Sequence, residues 1–211
     1  MNCKQTFKNH ARIVNPLTDD ANVILVRHAE GLHNHALHRA SDPRFVERDV
    51  SLIDAPLTRR GHQQAKAVAA SFRRARSHYG KKQEYHFLSS PLIRCRDTIQ
   101  YILEHMEDPH KKILIDSRLK EFDDTSYFNL PAHANVASNA FAFEHEHEFQ
   151  QRVCEWLQDQ FEASLRNHTR RVVACTHYHV LTHIINLVTS SNCIAPKTPE
   201  PAGMIGLRFE P

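Results

Sequence analysis

Two apolar, β-branched stretches of the chain run directly into histidine. Val23-Ile-Leu-Val26 is followed by Arg27-His28, and Arg171-Val-Val-Ala-Cys175 by Thr176-His177. A third stretch, Tyr85-His-Phe-Leu88, leads through Ser89-Ser90-Pro91 to Arg94. Glu121 lies just beyond a fourth, Lys112-Ile-Leu-Ile115. These residue types have complementary chemistry around a phosphate. Imidazole is a nucleophile toward phosphorus and exchanges protons near neutral pH. A guanidinium fork matches phosphate oxygens bidentately. A carboxyl group protonates a departing alkoxide. Singly, each residue has a plain reading, as a loop histidine or a surface ion-pair arginine. Together they fall past the ends of apolar runs, where open parallel sheets bind their ligands.

The elements that must hold them follow from pattern. The four stretches are short and apolar enough for strands buried on both faces. Between them lie helical periodicities: Ala65, Val68, Ala69 and Phe72 after Thr58 as N-cap, and Ile99, Ile102, Leu103 and Met106 after a start at Ser90-Pro91. Residues 149–165 carry Val153, Trp156 and Leu157 inward, and the helix after His177 carries Leu181, Ile184, Ile185 and Val188. Met204 to Phe209 reads as a last strand closing the sheet. The alternation predicts an α/β three-layer sandwich with a mainly parallel sheet and helices on both faces. With 211 residues the chain suits one domain. Residues 31–56 and 121–146 read as largely irregular segments around the mouth of the site, the first with a short helix.

The same residues carry a family resemblance. Val23-Ile-Leu-Val-Arg-His-Ala-Glu-Gly-Leu-His-Asn34 resembles the signature of the histidine phosphatase superfamily, the phosphoglycerate-mutase-like proteins. Asp54-Ala-Pro-Leu-Thr-Arg-Arg-Gly-His-Gln-Gln-Ala65, Ser89-Ser-Pro-Leu-Ile-Arg-Cys-Arg-Asp-Thr98, Arg118-Leu-Lys-Glu121 and Val172-Val-Ala-Cys-Thr-His177 resemble its further segments, in family order. The resemblance implies that His28 is the nucleophile and forms a phosphohistidine. Arg27, Arg94 and His177 would hold the phosphoryl oxygens, with Asn34 as a further donor, and Glu121 would be the proton donor. No metal or cofactor is then required, because the arginines supply the electrophilic charge. Three positions depart from the family pattern: Ala29 and Tyr178 stand where glycines are usual, and Asp97 where glutamine is. The Tyr178 ring could line the pocket.

The remaining residues bound the function. Lys and Arg number 27 against 24 Asp and Glu, a net charge of +3, too mild to point to nucleic acid. No apolar run approaches a membrane span, and the first residues have no apolar core of a secretory signal. The 5 cysteines (Cys3, Cys95, Cys154, Cys175, Cys193) are scattered without a CxxC and read as reduced thiols, hence a cytoplasmic protein. Among 17 histidines, His179 and His183 have ligand spacing, but no HExxH accompanies them and no metal site is expected. His33 and His35 read as pocket border or surface. Arg73, Arg74, Arg76, Lys81 and Lys82 read as an exposed helix end, and Phe141, Phe143 and Phe149 as core or pocket wall. Arg39, Arg44 and Arg48 are either plain solubility or a site for a second anionic group.

Three functions fit. The first is a metal-independent phosphatase acting on a small phosphorylated substrate. The second is a phosphomutase, against which the Phe-Asp-Asp-Thr-Ser-Tyr-Phe-Asn-Leu following Glu121 counts, since it lacks the Gly-Leu-Asn-Lys-type segment of mutases. The third is a phosphate-recognition protein without turnover, against which the intact set Arg27, His28, Arg94, Glu121 and His177 counts.

Overall fold

The computed structural model describes residues 3–17, 21–79, 84–105, 111–122, 126–132, 143–189 and 197–210. Its strands are β1 (Ala11–Val14), β2 (Val23–Arg27), β3 (Glu84–Ser89), β4 (Ile113–Ile115), β5 (Arg170–Thr176) and β6 (Met204–Phe209). The helices are α1 (Cys3–His10), α2 (Leu32–Arg39), α3 (Pro43–Glu47), α4 (Arg59–Tyr79), α5 (Ile93–Glu104), α6 (Glu146–Arg166) and α7 (Tyr178–Val188).

The six strands form one sheet in the order β1-β6-β2-β5-β3-β4. β2, β5, β3 and β4 are mutually parallel, whereas β6 is antiparallel to both β2 and β1. The expected last strand therefore lies inside the sheet, because β1 covers its outer edge. β1 and α1 had no clear sequence signal: their periods are too short to stand out.

Side-chain alternation along the strands feeds two cores. Val23, Leu25, Val172, Ala174 and Leu88 face one layer, where Phe7, Trp156, Leu157, Val180 and Leu181 of α1, α6 and α7 close over them. Ile24, Val26, Phe87, Val173 and Cys175 face the other, against Ala65, Val68, Phe72, Ile99 and Ile102 of α4 and α5. A third, smaller cluster joins Val46, Leu52, Ala55 and Phe128, with Ala36, Leu37 and Ala40 packed against it. It holds α2 and α3, in the stretch read as mostly irregular, beside the 3-10 turn Tyr127–Asn129.

The cysteine reading needs correction. Cys3 and Cys154 are joined by a disulfide that ties α1 to α6 across 151 residues. No local spacing reveals a pair so distant in sequence, and the argument from thiols to a reducing compartment does not stand. Cys95 and Cys175 are free and buried. Arg73 and Arg74 are exposed on α4, Phe143 is half-buried and Phe149 belongs to the first core. Met106, Lys81, Lys82, Phe141, Cys193 and the side chain of Arg76 lie outside the described residues. Among the described residues no helix is long and apolar enough to cross a membrane.

Candidate active site

β2 and β5 are parallel neighbours in register, Arg27 opposite Thr176. Their ends therefore deliver His28 and His177 side by side, with ring centroids 5.0 Å apart. The His28 backbone N–H donates to the Thr176 carbonyl at 2.9 Å. The His28 ring is 2% exposed, and its Nδ1 lies 2.8 Å from the Ala29 carbonyl oxygen. A carbonyl only accepts, so Nδ1 carries the proton and Nε2 keeps its lone pair. Burial, then the nearby Arg94 and Arg27 guanidinium groups, hold this imidazole well below the usual histidine range. It is neutral and nucleophilic at neutral pH.

The loop after His28 is clamped from outside. The Ala29 N–H donates to Thr98 Oγ1 at 3.0 Å, and Glu30 N–H to Gln64 Oε1 at 2.8 Å. Thr58 accepts from Gly61 N–H at 2.9 Å as the expected cap of α4, and its hydroxyl donates to Glu30 Oε1 at 2.7 Å. Gly61 packs so closely that a Cβ there would lie 2.1 Å from the Glu30 carbonyl oxygen. Ala29 and Tyr178 have no positive φ, so neither backbone position requires the family glycine.

Arg94 is the second residue of α5 and is 1% exposed. Its Nη1 donates to the Phe128 carbonyl and its Nη2 to Asn129 Oδ1, both at 2.9 Å, while Nε is buried without a partner among the described residues. α5 starts later than Ser90-Pro91 suggests, at Ile93. The Ser90 hydroxyl oxygen accepts from the Leu92 N–H at 3.3 Å and also lies 2.7 Å from His177 Nε2. The carboxylate of Asp54, itself at φ 47°, accepts from the Ile93 N–H at 2.8 Å. Arg27 closes the other side: its Nη1 donates to the Pro199 carbonyl at 2.9 Å, and its guanidinium carbon lies 5.0 Å from the centre of the Tyr178 ring. Asn34 Oδ1 accepts from Gly31 N–H at 2.9 Å, which leaves its amide N–H groups as the donors.

Glu121 is buried at the start of the segment after β4. Its Oε1 accepts from the backbone N–H of Phe122 at 3.0 Å and of His179 at 3.2 Å. Arg152 holds the chain on either side, donating to the carbonyls of Arg118, Lys120 and Glu121 at 2.7, 2.9 and 3.1 Å.

Arg27, His28, Asn34, Arg94, Glu121 and Tyr178 all line one cavity of about 240 Å³. His177 does not. It is fully buried behind His28, against Ser90 and with Cys95 Sγ 3.3 Å from Nε2. Burial and Arg94 keep it neutral. His33, expected at the pocket border or on the surface, is buried at the cavity wall, 5.5 Å from His28 and stacked at 4.8 Å on Phe128. The segments 31–56 and 121–146, expected around the mouth, supply Leu37, Glu47, Ser126, Phe128 and Asn129 to the lining. No local pattern singles these residues out, because α2, α3 and the 126–130 turn meet only in three dimensions. His179, from the first turn of α7, lines the cavity as well. Asp97 does not line the cavity. A larger groove of about 640 Å³ runs along α6 and α7 beside Cys3 and Cys154 and contains none of the expected site residues.

Residues 23–194 match the sequence profile of the histidine phosphatase superfamily (branch 1). No curated protein matches the chain significantly. Solved structures with a similar fold include phosphoglycerate mutase from Bacillus anthracis, at 15% identity and TM-score 0.58, covering 88% of each chain. A mycobacterial glucosyl-3-phosphoglycerate phosphatase complexed with VO3 aligns at 17% identity and TM-score 0.54, over 90% of this chain and 97% of that one. The ecdysone phosphate phosphatase of Bombyx mori, in complex with tungstate, aligns at 18% and 0.54, over 86% of each.

Proposed function

The chain belongs to the histidine phosphatase superfamily (branch 1), and within it we propose a phosphomonoester hydrolase that works through a phosphohistidine on His28. The observation that carries this reading is the fixed tautomer of His28: a buried, neutral ring with Nδ1–H spent on Ala29 and two guanidinium groups beside it in one cavity.

The phosphoryl group sits between Arg27, Arg94 and the Asn34 amide, which balance charge on its non-bridging oxygens. The His28 Nε2 lone pair attacks phosphorus as the P–O bond to the leaving group breaks. Glu121, entering as the carboxylic acid, gives its proton to the departing oxygen. A water molecule then attacks the phosphohistidine. Glu121, now a carboxylate, takes a proton from that water, the P–N bond breaks onto Nε2, and inorganic phosphate leaves. His177 acts from behind, buttressing the His28 ring.

The test varies the leaving group. Wild-type protein, His28→Ala and Glu121→Gln are assayed for phosphate release from an alkyl phosphate and from 4-nitrophenyl phosphate, whose leaving group needs no proton. His28→Ala loses both activities. Glu121→Gln loses about 10²-fold or more on the alkyl ester and much less on the activated one. Equal losses on both esters would remove Glu121 as the acid, and retained turnover in His28→Ala would remove the nucleophile.

A further inference from the structure

The cavity has two ends of different chemistry. Among the described residues that line it, the arginines are Arg27 and Arg94, both fixed beside His28 by the Pro199, Phe128 and Asn129 contacts. Moving outward, the His33 ring lies tilted beside His28, and Phe128 stacks on His33. Phe128 belongs to the cluster that includes Val46 and Leu37. The next residue along α3, Glu47, is half-buried and also lines the cavity. Tyr178, 41% exposed, walls the space as well. Away from the arginines the wall thus carries Leu37, Phe128 and Tyr178 as its apolar and aromatic part, with Asn34, Ser126 and the exposed His179 as polar groups and Glu47 as a carboxylate beyond the catalytic Glu121.

The cations that could have welcomed a second anionic group are placed elsewhere. The Arg44 guanidinium is bound to Asp42 at 2.7–3.1 Å. Arg48 lies 6.0 Å over the Tyr127 ring, and Arg39 reaches His35. None of the three lines the cavity. Arg44 lies within electrostatic range of Glu47, but its guanidinium is held by Asp42 and does not line the cavity. A second anion on a substrate would therefore meet the like charge of Glu47, and like-charge repulsion in a partly dry site counts against such a substrate.

We infer that the mouth selects singly phosphorylated alcohols whose leaving group offers a hydrogen-bond donor, hydroxyl or ammonium, to Glu47 while its apolar face lies on Phe128, Leu37 and Tyr178. Esters with a second anionic group are rejected. This inference rests on the phosphatase reading of the same cavity.

Four aryl phosphates of matched size test it, with para substituents ending in a methyl, a hydroxyl, an ammonium or a carboxylate group. Phosphate release is measured with the intact protein and with E47Q. The hydroxyl and ammonium esters exceed the carboxylate ester in kcat/KM by about tenfold or more, and E47Q narrows the ammonium-to-carboxylate ratio by about tenfold. The order of hydroxyl and ammonium tells which donor is preferred. A carboxylate ester turned over as well as the ammonium ester, or a ratio unmoved by E47Q, overturns the inference. If no ester is hydrolysed, the phosphatase reading fails, and calorimetric affinities of the same four compounds decide: the same ranking supports the selectivity, and equal or absent binding overturns it.

Discussion

The carboxylate of Asp54 accepts a hydrogen bond from the backbone N–H of Ile93 at 2.8 Å. A residue 39 positions earlier thereby caps the helix that delivers Arg94 to the cavity. Asp54→Ala leaves that N–H unpaired, costs about 1–2 kcal/mol of stability and weakens vanadate inhibition by letting Arg94 drift. Asp54→Asn keeps both the acceptor and the tolerance for positive φ, so it recovers most of the loss. Urea unfolding and vanadate titration on the two variants check this.

Gly61 is required by close approach rather than by backbone freedom. A methyl group there would collide with the Glu30 carbonyl, which belongs to the clamp on the loop after His28. Gly61→Ala destabilises the protein by about 1–3 kcal/mol and lowers kcat through the displaced loop. A denaturation midpoint equal to wild type would show that the clamp can yield.

Stability falls on acidification. Burial first, and Arg94 next, keep His28, His33 and His177 neutral well below the ordinary histidine range. In the unfolded chain each titrates near 6.5. Below that pH the unfolded state binds protons that the folded state refuses. Unfolding free energy therefore declines with falling pH, by up to about 1.4 kcal/mol per pH unit for each histidine. Urea unfolding between pH 7.5 and 5.5 measures the slope, and His33→Leu removes one histidine's share of it. A flat profile would mean that these rings charge in the folded protein.

The Cys3–Cys154 bridge between α1 and α6 closes a loop with a sequence separation of 151 residues. Restricting so long a loop stabilises by about 2–5 kcal/mol. Cys154→Ser, or reductant, lowers the unfolding midpoint accordingly. Non-reducing peptide mapping identifies the bridge directly, and an unbridged Cys3 peptide would contradict the pairing.

What the sequence disclosed and what it hid divide along a physical line. The buried strands 23–27 and 170–176 and the residues at their ends were legible, since burial on both faces forces continuous apolar runs and the chemistry follows immediately. Arg94 and Glu121 were legible as types, but not the partners that hold them, Asn129, the Phe128 carbonyl and Arg152, because such bonds join segments with no shared period. The Asp54 cap, the α1–α6 disulfide and the Glu47 carboxylate escaped for the same reason. His177 was legible as a strand-end histidine, but only the rotamer fixed by Ser90 puts it behind the cavity wall.

The central claim is the covalent intermediate on His28. Wild-type protein mixed with 4-nitrophenyl phosphate, quenched at alkaline pH to preserve acid-labile phosphoramidate and digested, is mapped by tandem mass spectrometry. The account predicts phosphate on the His28 peptide, lost in His28→Ala and augmented when Glu121→Gln slows hydrolysis of the intermediate. Turnover with no phosphate on His28, or phosphate on another residue in its place, would contradict it.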